Sequence, residues 1–65
     1  MPYKSNSDLP TNITNVLPEH AQSIFRKAFN SAYEEYDTEE QAFKVAWAAV
    51  KKVYRKNQQG QWVEK

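Results

Sequence analysis

Ala42-Phe43-Lys44-Val45-Ala46-Trp47-Ala48-Ala49-Val50-Lys51 is the stretch whose reading decides the fold. On a helical wheel Ala42, Phe43, Ala46, Trp47, Ala49 and Val50 share one broad face, and Val53 and Tyr54 extend it. The period is that of a helix, not the strict alternation of a half-buried strand. The spacing predicts a third helix over 38–56. Its apolar face is wider than a single neighbour needs, so this helix is expected to be central. It should touch a second helix, a short first helix and one or both terminal arms. Every charged residue from Phe43 to Lys56 is basic: Lys44, Lys51, Lys52, Arg55 and Lys56.

Upstream, Ala21, Ile24, Phe25, Ala28, Phe29, Ala32, Tyr33 and Tyr36 alternate steps of three and one, which predicts an amphipathic second helix over 18–36. Alanines interleave with large rings, so another helix can approach closely between them. His20, Ser23, Arg26, Lys27, Asn30 and Glu34 face the other way. Asp37-Thr38-Glu39-Glu40 is the link. Asp37 can cap helix three, with Glu40 reaching back as in a capping box, and Thr38 is the alternative cap. Glu40 also precedes Lys44 by four residues, an orientation worth about 0.3–0.5 kcal/mol. So short a link makes helices two and three antiparallel neighbours.

The flanks are shorter elements. Residues 1–9 read as an extended arm whose Tyr3 pins it to the core. Pro10 suits the first turn of a short helix over 10–17. Ile13, Val16 and Leu17 lie at helical spacing there, with Leu9 placed to staple its start. Pro18 ends that segment and opens the next helix. Residues 57–65 form a C-terminal arm. Asn57 to Gly60 terminates helix three through polar residues and a glycine able to turn left-handed. Trp62 and Val63 bring the tail back, with minor strand pairing to the arm around Tyr3 as one arrangement. The expectation is one all-α domain, 1–65, with three helices and a core of Ile24, Phe25, Phe29, Tyr33, Phe43, Ala46, Trp47, Val50 and Tyr54.

Composition narrows the function. At 65 residues the chain is near the size where a single core is marginal, and without cysteine it has neither disulfides nor a thiolate metal site. No apolar run reaches the ~18 residues of a membrane span, and Met1-Pro2-Tyr3-Lys4-Ser5 lacks an apolar leader, so a cytoplasmic protein is expected. No nucleophile–base set or metal set can be assembled, and with Gly60 the single glycine no phosphate-cradling loop exists. A catalytic role and a cofactor are not expected. His20, the only histidine, reads as a packing or capping residue.

Two charged regions remain as candidates. Lys44, Lys51, Lys52, Arg55 and Lys56 form a stripe on helix three that could meet an anionic partner; it could equally be a solvated face supporting the helix dipole. Glu34, Glu35, Asp37 and Glu39 form an acidic docking candidate, since acids near a helix C-terminus oppose the dipole. Without alternating ligands and a central glycine they do not read as a calcium loop. Asn30, a poor helix former, is either buried with its hydrogen bonds met or exposed as a contact. Trp47 and Trp62 read as core.

Nearly the whole chain resembles the ChaB family. The resemblance rests on Met1-Pro2-Tyr3-Lys4, Asp8-Leu9-Pro10, Val16-Leu17-Pro18, His20-Ala21-Gln22, Phe29-Asn30-Ser31-Ala32 and Lys44 to Lys51, with Trp62 after a polar, glycine-containing loop. Members are usually labelled cation transport regulators. The resemblance implies a small, mainly helical, non-catalytic regulatory or interaction protein. Its implied partner is a protein, with a membrane cation/proton antiporter the one behind the label. Nucleic-acid binding has been proposed for some similar proteins, which makes the basic stripe of helix three the alternative interface. Some relatives carry a longer charged insert between the two main helices, reduced here to residues 37–40.

Overall fold

Alanine spacing sets the central packing. In the computed structural model, which describes residues 3–65, helices α2 (Glu19–Tyr36) and α3 (Glu39–Val53) run antiparallel across a two-residue link. Ala42, Ala46 and Val50 of α3 are fully buried against Ala21, Phe25, Phe29 and Ala32 of α2. The small side chains on α3 bring its backbone close, and the two phenylalanines fill the space between. Each ring buried this way contributes about 2–3 kcal/mol of transfer free energy. Around them Phe29 meets Phe43 edge-on at 4.9 Å between ring centroids, and Phe25 meets Trp47 at 5.2 Å and 76°. Such tilted contacts suit the ring quadrupoles.

The residues expected in the core fall into two grades. Phe25, Phe29, Ala46, Val50 and Tyr54 are buried, whereas Ile24, Tyr33, Phe43 and Trp47 are partly buried and packed against them. Leu9, Ile13 and Leu17 close the core at one end. Val16, which shares their spacing, is 45% exposed because the short helix α1 spans only Thr11–Thr14 and the chain turns before it. Tyr36 and Val53 are also largely exposed; each is the last residue of its helix.

The N-terminal arm is not extended throughout: Asn6–Asp8 form one 3-10 turn. What fixes it is the side of α2 that periodicity assigns to solvent. Asn6 donates to Ser23 Oγ at 3.0 Å and accepts from Arg26 Nε at 2.9 Å. Asn30 accepts from the Tyr3 N–H and donates to the Tyr3 carbonyl, both at 2.8 Å. Gln22 donates to the carbonyl of Thr14, at the end of α1, and to that of Leu17 beyond it.

Two further expectations are corrected at the C-terminal end. Helix α3 stops at Val53 instead of Lys56, and Tyr54–Lys56 is a strand, β1. Its partner β2, Trp62–Glu64, pairs antiparallel with it and not with the arm around Tyr3. The cause is chain economy. Closing a five-residue loop costs far less entropy than joining the two ends, and the Tyr3 backbone is already bonded to Asn30. Asn57 organises the turn: its Oδ1 accepts from the N–H groups of Gln59 and Gln61, both at 2.9 Å. Gly60 supplies the left-handed residue, φ 84°, in this turn instead of at a helix end. Finally the Lys65 N–H donates to the Val53 carbonyl at 2.9 Å, capping α3 with the returning tail.

Candidate functional site

Helix α3 presents a second face opposite its alanine seam. Lys44, Trp47, Ala48 and Lys51 stand at i, i+3, i+4 and i+7, so they surround one point on the helix surface. A shallow depression there is lined by Glu40, Phe43, Lys44, Trp47, Ala48 and Lys51. A second depression adjoins it through Lys51 and is lined by Tyr54, Arg55, Lys56, Trp62 and Lys65. Trp47 and Trp62 join the two floors, with ring centroids 5.5 Å apart and planes tilted by 30°. In the hairpin register Lys56 stands opposite Trp62 and therefore on the same face. The result is an aromatic floor with a basic rim.

The predicted stripe is thus divided. Lys44 and Lys51 lie on the helix, while Arg55 and Lys56 reach the same surface from β1. Lys52 lines neither depression. Lys65 joins the rim, and no spacing in the sequence indicates it, because the hairpin alone brings residue 65 back to α3. The role of Trp62 is likewise set by the hairpin. Lys44 lies 3.9 Å from Glu40 in an exposed i,i+4 pair. Such a pair contributes only about 0.3–0.5 kcal/mol and yields readily to another carboxylate.

The acidic candidates Glu34, Glu35, Asp37 and Glu39 are all exposed around the α2–α3 corner. The capping box does not form. Asp37 instead ends α2 in the left-handed region at φ 57°, its N–H donating to the Tyr33 carbonyl, and Thr38 makes no side-chain cap bond. Glu39 faces Tyr3: burial first, then this carboxylate, raises the Tyr3 phenol above its ordinary pKa. Among the described residues no group of three or more His, Cys, Asp or Glu is placed to hold a metal ion.

His20 joins helix to hairpin. Its Nδ1 is 3.0 Å from the Tyr54 hydroxyl and 3.9 Å from Glu64 Oε2. Burial, then the Glu64 carboxylate, raises the Tyr54 phenol above its ordinary pKa. The His20 side chain is 65% exposed, so it meets Tyr54 from the solvent side. Asn30 is spent on Tyr3, which answers the alternative left open for it.

Residues 9–65 match the ChaB family model. The chain belongs to the ChaB family. It is 48% identical to proteins of Escherichia coli (strain K12) and Shigella flexneri, each named "Putative cation transport regulator ChaB". Each alignment covers 100% of this chain and 99% of the relative over 75 positions, so ten of those positions have no counterpart among the 65 residues here. A solved ChaB protein, "NMR solution structure of the putative cation transport regulator ChaB", superposes with a TM-score of 0.89 at 47% identity, over 98% of this chain and 99% of that one. The ChaB fold is therefore this arrangement: two long antiparallel helices, a short helix before them and a small hairpin after. Among the described residues no helix is long and apolar enough to cross a membrane.

Proposed function

We propose that this protein is a small non-catalytic regulator that acts by docking on a protein partner, a cation/proton antiporter. The observation that carries this reading is the full-length likeness to the proteins named as cation transport regulators. The surface fits it: an aromatic floor with Lys44, Lys51, Lys56 and Lys65 at its rim is suited to binding, since rings supply area and lysines supply orientation. In this reading the protein works in the cytoplasm and meets the transporter at its cytoplasmic side. The test is cation/proton exchange in inverted membrane vesicles containing a defined antiporter, with and without the added protein. A change in exchange rate is expected. An unchanged rate across a panel of antiporters would sink the reading.

A second reading is favoured by one observation, the joining of Trp47 and Trp62 within a lysine rim. Cations beside rings also suit a nucleic acid. Four lysines on phosphates would give a salt slope near −3.6, a loss of about a hundredfold between about 50 and 200 mM salt. Lys44→Glu/Lys51→Glu should then weaken binding to all duplex sequences alike. Salt-insensitive binding, or binding retained in that variant, excludes this reading.

A further inference from the structure

We infer that the Lys44–Trp47–Ala48–Lys51 face takes an amphipathic helix of a partner protein, carrying one aliphatic side chain flanked by a carboxylate about one turn to either side. This rests on the docking reading and adds the partner's chemistry.

Four residues at i, i+3, i+4 and i+7 are the geometry of a hole that accepts a knob from a second helix. Here the hole has a small member, Ala48, and an aromatic wall, Trp47, with Phe43 behind it. Ala48 is exposed and Trp47 only partly buried, whereas Ala42, Ala46 and Val50 on the other side of α3 are fully buried. An aliphatic knob would cover what is left open. The two ends of the hole are Lys44 and Lys51, seven residues and therefore about 10 Å apart along the axis. A partner helix with acids at −3 and +4 from its knob spans the same seven residues, so both carboxylates meet a lysine when the knob is seated. The charge of the rim decides the sign of the partner: five cations, Lys44, Lys51, Arg55, Lys56 and Lys65, stand against the single acid Glu40.

The rings favour a helix over nucleic-acid bases. Trp47 meets Phe25 at 76° and lies at 30° to Trp62, so its ring is already engaged by two other rings. An aliphatic knob needs only the ring edge and the notch at Ala48.

The probe is a capped, alanine-rich helical peptide with one leucine flanked by glutamates at −3 and +4. It is titrated into the isotope-labelled full chain and followed by NMR. Saturable shifts are expected at the Ala48 amide, the Trp47 and Trp62 indole N–H groups and Lys51. Replacing the leucine by alanine, or both glutamates by lysine, should weaken binding at least about tenfold, the loss of roughly one good contact. Ala48→Gln fills the hole on an exposed helix position that glutamine tolerates well, leaves every lysine in place, and should abolish the shifts. Absence of shifts with the wild-type chain overturns the inference, as does undiminished binding by Ala48→Gln. Two competing occupants are read in the same experiment. Duplex DNA shifting these residues more tightly than the peptide overturns it in favour of nucleic acid. Concentration-dependent shifts without peptide, lost in Tyr36→Ser, overturn it in favour of a second copy presenting its exposed Tyr36 between acids. In the vesicle assay, an active wild type with an equally active Ala48→Gln overturns this groove alone. A wild type that binds the peptide but leaves exchange unchanged overturns the regulatory reading and upholds the groove.

Discussion

The amide of Asn30 meets both backbone groups of Tyr3, accepting its N–H and donating to its carbonyl at 2.8 Å. A single side chain thereby does for the arm what a neighbouring strand would do, and the Tyr3 ring settles on Phe29 at 4.9 Å. Replacing Asn30 by alanine gains some helix propensity but forfeits two part-buried bonds, each worth about 0.5–1.5 kcal/mol. The net loss should be about 1–2 kcal/mol in urea unfolding, with Asn30→Asp intermediate because the acceptor survives. An unchanged midpoint in Asn30→Ala would show that the two bonds to Tyr3 contribute nothing to stability. The sequence marks Asn30 as anomalous through its poor helix propensity, but its partner lies 27 residues away and no local pattern names it. Asp37 is the converse case. Its charge invites a cap assignment, yet the chain places it at φ 57°, where a side chain costs roughly 1–2 kcal/mol. Glycine has no such cost there, though it adds freedom to the unfolded chain. Asp37→Gly also removes an acid from the α2 C-terminus, and should raise stability by about 0.5–1 kcal/mol in thermal or urea unfolding.

Among the elements, α2 and α3 were legible because their burial is periodic along a single segment: the Phe25–Phe29 and Ala42–Ala46–Val50 spacings suffice. The hairpin was not, because Tyr54 continues the apolar period of α3 and nothing local shows that the tail returns to cap Val53. The same gap hid Lys65 from the candidate face and misplaced Arg55 and Lys56 on the helix, while Lys44 and Lys51 could be placed from helical spacing alone. That hairpin is also tied to α2 by the bond between Tyr54 and His20. Both Tyr54 and Tyr3 have their phenol pKa raised above 10.0, by burial and then by Glu64 and Glu39 respectively. On raising the pH the unfolded chain therefore loses these protons first, so it binds fewer than the native state and stability falls. The contribution is complete below about pH 10, the unfolded tyrosine value, and is lost as pH climbs through the raised native values. Urea midpoints measured across that range should decline, and Tyr54→Phe should decline less steeply while starting lower for want of the His20 bond. An equal slope in both proteins would remove Tyr54 from the account.

At the scale of the whole molecule, the extents of 34 × 21 × 16 Å leave room for little more than two helices side by side. The described residues form one core, at the α2–α3 seam, and the other elements lean on it. For a domain of this length total stability is of the order of 3–10 kcal/mol, at roughly 0.05–0.15 kcal/mol per residue. Phe29 is fully buried and touches Tyr3, Phe25, Tyr33 and Phe43 through its ring. Phe29→Ala should cost about 3–5 kcal/mol, a large part of that total, so the helices should melt at or near room temperature. Trp62 is only partly buried and rests on Trp47, outside the alanine seam. Trp62→Ala should therefore free the hairpin and erase the floor of the second depression while leaving far-UV helicity near the wild-type value. Circular dichroism of the two variants at one temperature separates the cases. If Trp62→Ala loses helix as completely as Phe29→Ala, the hairpin belongs to the cooperative core, and the basic face cannot be altered at Trp62 without unfolding the protein that carries it.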